Sequence, residues 1–112
     1  MFKLWIDDLR TPPDETWRWA KSVHEAKTHF IQLGGLNEKP GIISLDHDAG
    51  EYVFMGGDYI EFLKWLEEKK YLNEIDFRYI TFHLHTMNVI GRQNMETIIK
   101  HNGWKETKEN GN

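Results

Sequence analysis

Short apolar runs that stop in acid constrain this chain more than any other feature. Phe-Lys-Leu-Trp-Ile at positions 2–6 runs into Asp7-Asp8, and Gly-Ile-Ile-Ser-Leu at 41–45 runs into Asp46-His47-Asp48. A run of about five residues that is apolar on both faces suits a strand buried inside a parallel sheet, and the carboxylates mark where it emerges into a loop. A third run at 77–84, rich in aromatic and β-branched residues, ends in His85-Thr86.

Helical patterns separate the runs. Ser22-Val23-His24-Glu25 has the form of a capping box, Val23, Ala26, Phe30 and Leu33 follow at helical spacing, and Gly34-Gly35 supplies a stop. Asp58-Tyr59-Ile60-Glu61 repeats this logic with Asp58 as the cap. Tyr59, Phe62, Leu63 and Leu66 line one face of that second helix, which is expected to fade near Lys70. A third helix is predicted over 89–102, with Met95, Ile98 and Ile99 inside and Gly103 as its stop. Residues 17–21 read as a further strand, 104–107 as an edge strand and 108–112 as a frayed tail, while Pro12-Pro13 bars an ordinary helix from 7–15. Strands alternating with helices imply a parallel sheet with right-handed crossovers and helices on both faces. Ligands of such sheets bind beyond the carboxyl ends of the strands, where all three polar clusters fall.

The chain has 112 residues, enough for one domain, expected over 1–107. Its apolar content of 39%, with five Trp and six Phe, fills a core and excludes a disordered tail protein. A net charge of -4 without a basic run argues against duplex nucleic acid as a partner, and leaves room for a small phosphorylated ligand such as a nucleotide held by local charge. Without cysteine, neither disulfides nor thiolate metal sites arise. No leader-like or membrane-spanning pattern is evident, so a soluble cytoplasmic protein with no membrane partner is expected.

Acids at two neighbouring strand ends offer the oxygen donors that Mg²⁺ or Mn²⁺ prefers; Asp7, Asp8, Asp46 and Asp48 are the candidate ligands, against the alternative of ordinary turn residues. His47, between two carboxylates, is placed to be held protonated and to donate a proton, or simply to pair with its neighbours. Alternation along 79–85 puts Thr81, His83 and His85 on one face; His83 lies deeper and reads as a core or supporting group, whereas His85 reaches the edge as a second acid/base candidate. Thr86, Asn88, Gly91 and Arg92 bring the chain into a helix start suited to an anion, with an ordinary capped helix as the alternative. Arg10 is a further phosphate contact, or a salt-bridge partner of Asp14 or Glu15. Residues 49–57, with Tyr52, Phe54 and Met55 among glycines, form a lid over a ligand or fold back on the sheet edge. His24, His29 and His101 fall on predicted helices and read as surface residues.

The strand-end acids resemble those of response-regulator receiver domains: Asp7 and Asp8 match the metal-binding pair, Asp46 the phospho-acceptor and Thr86 the hydroxyl residue. The short 10–15 connection replaces a receiver helix, and Lys105 is a poor match for the receiver's last-strand lysine. Leu4-Trp5-Ile6-Asp7-Asp8-Leu9-Arg10, Ile43-Ser44-Leu45-Asp46-His47-Asp48 and the H-x-x-N-x-x-G-R-x-x-M spacing from His85 to Met95 are similar to motifs of the cyclic-phosphate processing receiver domains. That resemblance implies a receiver-like (flavodoxin-like) three-layer α/β sandwich with a mostly parallel sheet of four to five strands, reduced relative to a full receiver. It also implies work on a cyclic phosphate.

The combined expectation is a metal-assisted phosphoesterase acting on a cyclic phosphate or a nucleotide phosphate end. His47, His85 and Asp46 are its catalytic candidates, and Arg10, Thr86, Asn88, Gly91 and Arg92 its substrate contacts. The alternatives are a non-catalytic signalling module that binds Mg²⁺ and phosphate, and a sponge that sequesters a cyclic nucleotide.

Overall fold

Alternation along β1 (Phe2–Ile6) fixes what each face of the sheet meets: Leu4 and Ile6 enter the main core, and Trp5 faces the opposite side. The structure, a computed structural model, describes residues 1–108, so 109–112 of the expected frayed tail lie outside the described residues. β1 is flanked by β2 (Arg18–Ala20) and β3 (Gly41–Leu45), and β4 (Ile80–Leu84) and β5 (Lys105–Thr107) extend the sheet in the order β2-β1-β3-β4-β5. Every neighbouring pair is parallel. This is the receiver-like α/β class expected from the sequence, with five strands.

Register places Leu4 beside Ile43 and Ile43 beside Phe82 on one face, and Trp5 beside Ser44 and Ser44 beside His83 on the other. Helices α1 (Val23–Gln32), α2 (Ile60–Asn73) and α3 (Val89–His101) connect β2 to β3, β3 to β4 and β4 to β5. All three steps cross the sheet in the same direction, so right-handed crossovers put the helices together on one face. Their buried side chains, among them Phe30, Phe62, Leu66, Met95 and Ile99, form one core with Leu4, Ile43 and Phe82. The expectation of helices on both faces is thereby corrected. Only the step from β1 to β2 runs the other way, and its Pro12-Pro13 segment is a loop whose Trp17 packs with Trp5 and Ile42, so loop stands in for the second helical layer.

Local signals account for most of the element boundaries. Ser22 Oγ accepts from Glu25 N (3.0 Å), but the reciprocal bond goes from Lys21 N to Glu25 Oε1, one residue before the expected donor. Asp58 does not cap α2: its Oδ1 accepts from Ala49 N at 2.9 Å and closes the 49–57 segment instead, and α2 starts at Ile60. α2 also continues past Lys70 to Asn73. There Lys70 Nζ donates to Asn102 O and Oδ1, and Asn102 Nδ2 donates to Glu67 Oε2, a tertiary lock that no local pattern announces. β4 begins at Ile80, three residues later than expected, because Phe77 enters the core from the preceding turn. Among the described residues, no helix is long and apolar enough to cross a membrane.

Candidate functional site

The carboxyl ends of β1, β3 and β4 lie side by side, with Ile6, Leu45 and Leu84 in register, so the loops that follow meet at one place. Asp7 is 1% exposed. Its Oδ1 accepts from the Leu9 and Arg10 amides, both at 2.9 Å, which turns the chain, and its Oδ2 lies 2.8 Å from His85 Nε2. Burial pushes the Asp7 carboxyl up, but the His85 bond and the two amides outweigh it, and the net position is below the ordinary value. Asp8 moves the other way, raised by burial and by the charges of Asp7 and Asp46.

Asp7, Asp8 and Asp46 each offer an oxygen within 4.8 Å of the others. Three carboxylate oxygens at this spacing fit a hard divalent cation such as Mg²⁺ or Mn²⁺. Of the roughly four lone-pair positions on the Asp7 carboxylate, three are taken, and one on Oδ2 remains. Asp46 Oδ1 accepts from His47 N at 2.8 Å, and its Oδ2 is 3.8 Å from an Arg10 guanidinium nitrogen. Gly50, at φ 55, packs its Cα against Asp8 Oδ2, where any side chain would collide.

Asp48, expected with this group, belongs to a second one. His47 Nδ1 lies 3.0 Å from Asp48 Oδ1, and His47, Asp48 and Asp58 form a separate cluster within 4.8 Å. The His47 bond, followed by Asn88, holds the Asp48 carboxyl below its ordinary value. Asp58 was legible only as a helix cap and escaped the sequence reading as a site residue.

His85 reaches the edge as expected, but inside the protein. Its Nδ1 is 2.8 Å from Ser44 Oγ, and its ring stacks on Trp5 with centroids 4.0 Å apart and planes 6° from parallel. Ser44 and Trp5 were missed as site residues. The available signal was alternation: Ser44 is the polar member of an apolar run, on the face shared with His83 and His85. His83 is buried and donates from Nδ1 to Thr107 O at 3.0 Å, the supporting position expected of it.

Arg10 crosses the cluster rather than pairing with Asp14 or Glu15: it donates to His85 O (3.1 Å), and its Nε is 3.7 Å from Asp7 Oδ2. Half of its side chain remains exposed. Arg92 donates to Thr86 O at 3.0 Å and so ties down the β4–α3 loop. Thr86 is buried, with Oγ1 accepting from Asn88 N. Asn88 caps α3 through Gly91 N and turns its amide nitrogen toward both Asp48 oxygens at 3.3 Å. In the 49–57 segment the three aromatic and thioether side chains divide: Phe54 is 79% exposed, whereas Tyr52 and Met55 are half-buried. His24 N donates to Met55 O, which anchors that segment to the start of α1. His29 is bonded to Arg18, and His24 and His101 are exposed on their helices. Two clefts of about 480 and 530 Å³ flank Trp104, before β5 and therefore at the opposite edge, and contain none of these groups.

A parallel sheet that delivers an acid pair from its first strand and a third acid from its central strand defines a receiver-like domain. Residues 2–101 match the family of cyclic-phosphate processing receiver domains, and the chain belongs to that family. No curated protein and no solved structure matches it. The family description supports a role in cyclic phosphate processing.

Proposed function

We propose that this domain hydrolyses a cyclic phosphodiester to a phosphomonoester with the help of Mg²⁺ or Mn²⁺. The observation that carries the reading is the convergence of Asp7, Asp8 and Asp46 within 4.8 Å, with the Arg10 guanidinium across them. Those three carboxylates would hold the cation, which when bound polarises the phosphate and eases deprotonation of a water.

In the proposed reaction a water gives up a proton to solvent, its oxygen bonds to phosphorus and the ring P–O bond breaks. The alkoxide that leaves needs a proton. His47 is the group to deliver it, oriented by Asp48 and seated beside Asp46. Arg10 offers an exposed guanidinium to the phosphate oxygens, and Asn88 and Gly91, at the start of α3, form the wall against Asp48 and the His47 ring. Thr86 and Arg92 support that wall through their loop contacts.

The test is incubation with 2′,3′-cyclic nucleotides, 3′,5′-cyclic nucleotides and cyclic dinucleotides, with and without each cation, followed by product analysis. Metal-dependent appearance of a monoester is expected, and Asp8→Ala is expected to abolish it. Labelling of Asp46 by acetyl phosphate without turnover would favour the signalling module. Tight binding with intact ligand recovered would favour the sponge.

A further inference from the structure

We infer that His85 is a positioning residue, and that Ser44, His85 and Asp7 form a buried relay that aims the Asp7 carboxylate at a divalent cation. The inference rests on the metal reading above and adds the means by which the site is held.

A group that gives a proton to a substrate must present a ring nitrogen to it. His85 presents neither: Nε2 faces Asp7 Oδ2 and Nδ1 faces Ser44 Oγ, both at 2.8 Å. The remaining freedom of the ring is removed by Trp5, which covers one side at 4.0 Å, and the side chain is 9% exposed. Ser44 itself is fully buried in β3, in register with Trp5 and His83, so its hydroxyl has no solvent to turn toward. A neutral ring carrying its proton on Nε2 satisfies all three groups: it donates to the Asp7 carboxylate and accepts from the Ser44 hydroxyl.

For Asp7 the consequence is geometric. Two amides fix Oδ1 and the imidazole fixes Oδ2, with Arg10 Nε 3.7 Å from the same oxygen, so the carboxylate that offers an oxygen within 4.8 Å of Asp8 and Asp46 is held in one orientation. Groups bonded to metal ligands set the orientation of those ligands, and their loss typically weakens metal binding by roughly 10- to 100-fold. Arg10 reinforces the arrangement by donating to the His85 carbonyl.

The experiment is calorimetric titration of Mn²⁺ and Mg²⁺ into the unsubstituted protein, His85→Phe, His85→Gln and Ser44→Ala, with a thermal melt of each metal-free protein. His85→Phe keeps a ring on Trp5 but loses both bonds, and its affinity is expected to fall roughly 10- to 100-fold. His85→Gln retains a donor for Asp7 and is expected to stay within a few-fold of the unsubstituted protein, whereas Ser44→Ala loses a few-fold. A purely structural role would lower melting temperatures and leave affinity unchanged, and a proton-transfer role would leave both unchanged. Unchanged affinity in folded His85→Phe would overturn the inference alone; should that variant not fold, unchanged affinity in Ser44→Ala decides in the same direction. Failure of the unsubstituted protein to bind either cation overturns the inference together with the metal reading.

Discussion

Gly91 lies flat against the imidazole of His47, so close that a β-carbon at position 91 would stand 2.5 Å from the His47 Cγ. Glycine near the start of a helix is not chosen for helix stability, since alanine is favoured there by about 1 kcal/mol. Its presence is explained by the ring it admits. Gly91→Ala is expected to keep α3 but displace His47 from Asp48, lowering kcat/KM by at least about tenfold, because a misplaced proton donor loses most of its effect. Long-range proton–nitrogen correlation spectra of the imidazole check the displacement directly. Unchanged His47 resonances in a folded Gly91→Ala protein would sink the explanation.

What the sequence made legible divides along a physical line. Strand ends and their acids were readable because apolar runs and the carboxylates that stop them are local patterns, and α1 and α3 were readable for the same reason. Partnerships were not. Asp58 looks like a cap from its neighbours alone, yet Ala49 N offers it another donor. Arg92 looks like a free cation on a helix, yet the Thr86 carbonyl is within its reach. The crowding of three helices onto one face follows from strand order, which periodicity along a single chain does not encode. His85 illustrates both: its face and edge were predictable, its two partners 41 and 78 positions away were not.

Asp8 makes the folded protein pH-sensitive in a definite direction. Its carboxyl is raised above the ordinary 3.8, so the folded state holds that proton more tightly than the unfolded chain does. Ionising it therefore costs stability, a cost that grows as pH rises from the ordinary value through the raised one and is fully present at neutral pH. Asp7, lowered on balance, has the opposite sign: its stabilisation is present above the ordinary value and is lost as pH falls through the folded one. Asp8→Asn is accordingly expected to raise the metal-free melting temperature at pH 7, with the gain vanishing in acid below about pH 3. Mn²⁺ should raise the melting temperature of the unsubstituted protein, chelation should reverse that rise, and neither should affect the variant. Thermal melts across pH, with and without metal, check all three; destabilisation at pH 7 would assign Asp8 to the turn instead.

Phe54 is the aromatic side chain of the 49–57 segment left in solvent, next to the exposed Val53, while Tyr52 and Met55 are partly covered. Its removal costs the fold little, so Phe54→Ser is expected to melt within about three degrees of the unsubstituted protein. An aromatic contact to a bound ring is worth about 0.5–1.5 kcal/mol. If that contact forms with a nucleobase, KM for a nucleoside cyclic phosphate rises a few-fold at unchanged kcat, and a cyclic phosphate lacking a base shows no difference. Equal effects on both substrates would rule out base stacking.

Asn102 tests the separation between holding the fold and doing the chemistry. It is buried at the end of α3, donates to Glu67 Oε2 and Ile98 O, and accepts from Lys70 Nζ, so one amide joins the last turns of α2 and α3. Asn102→Ala leaves Glu67 and Lys70 without that partner in a partly buried place, a loss of about 1–3 kcal/mol. The lock lies at the opposite edge of the sheet from Asp7, Asp8 and Asp46, beyond the reach of direct contact with them. Chemical denaturation is therefore expected to show the full loss, and hydrogen exchange to speed up at Lys70 to Asn73, while the affinity for Mn²⁺ stays as it was. A fall in metal affinity of the folded variant would mean that the helical layer and the acidic edge are coupled, and that the site depends on more than the loops that build it.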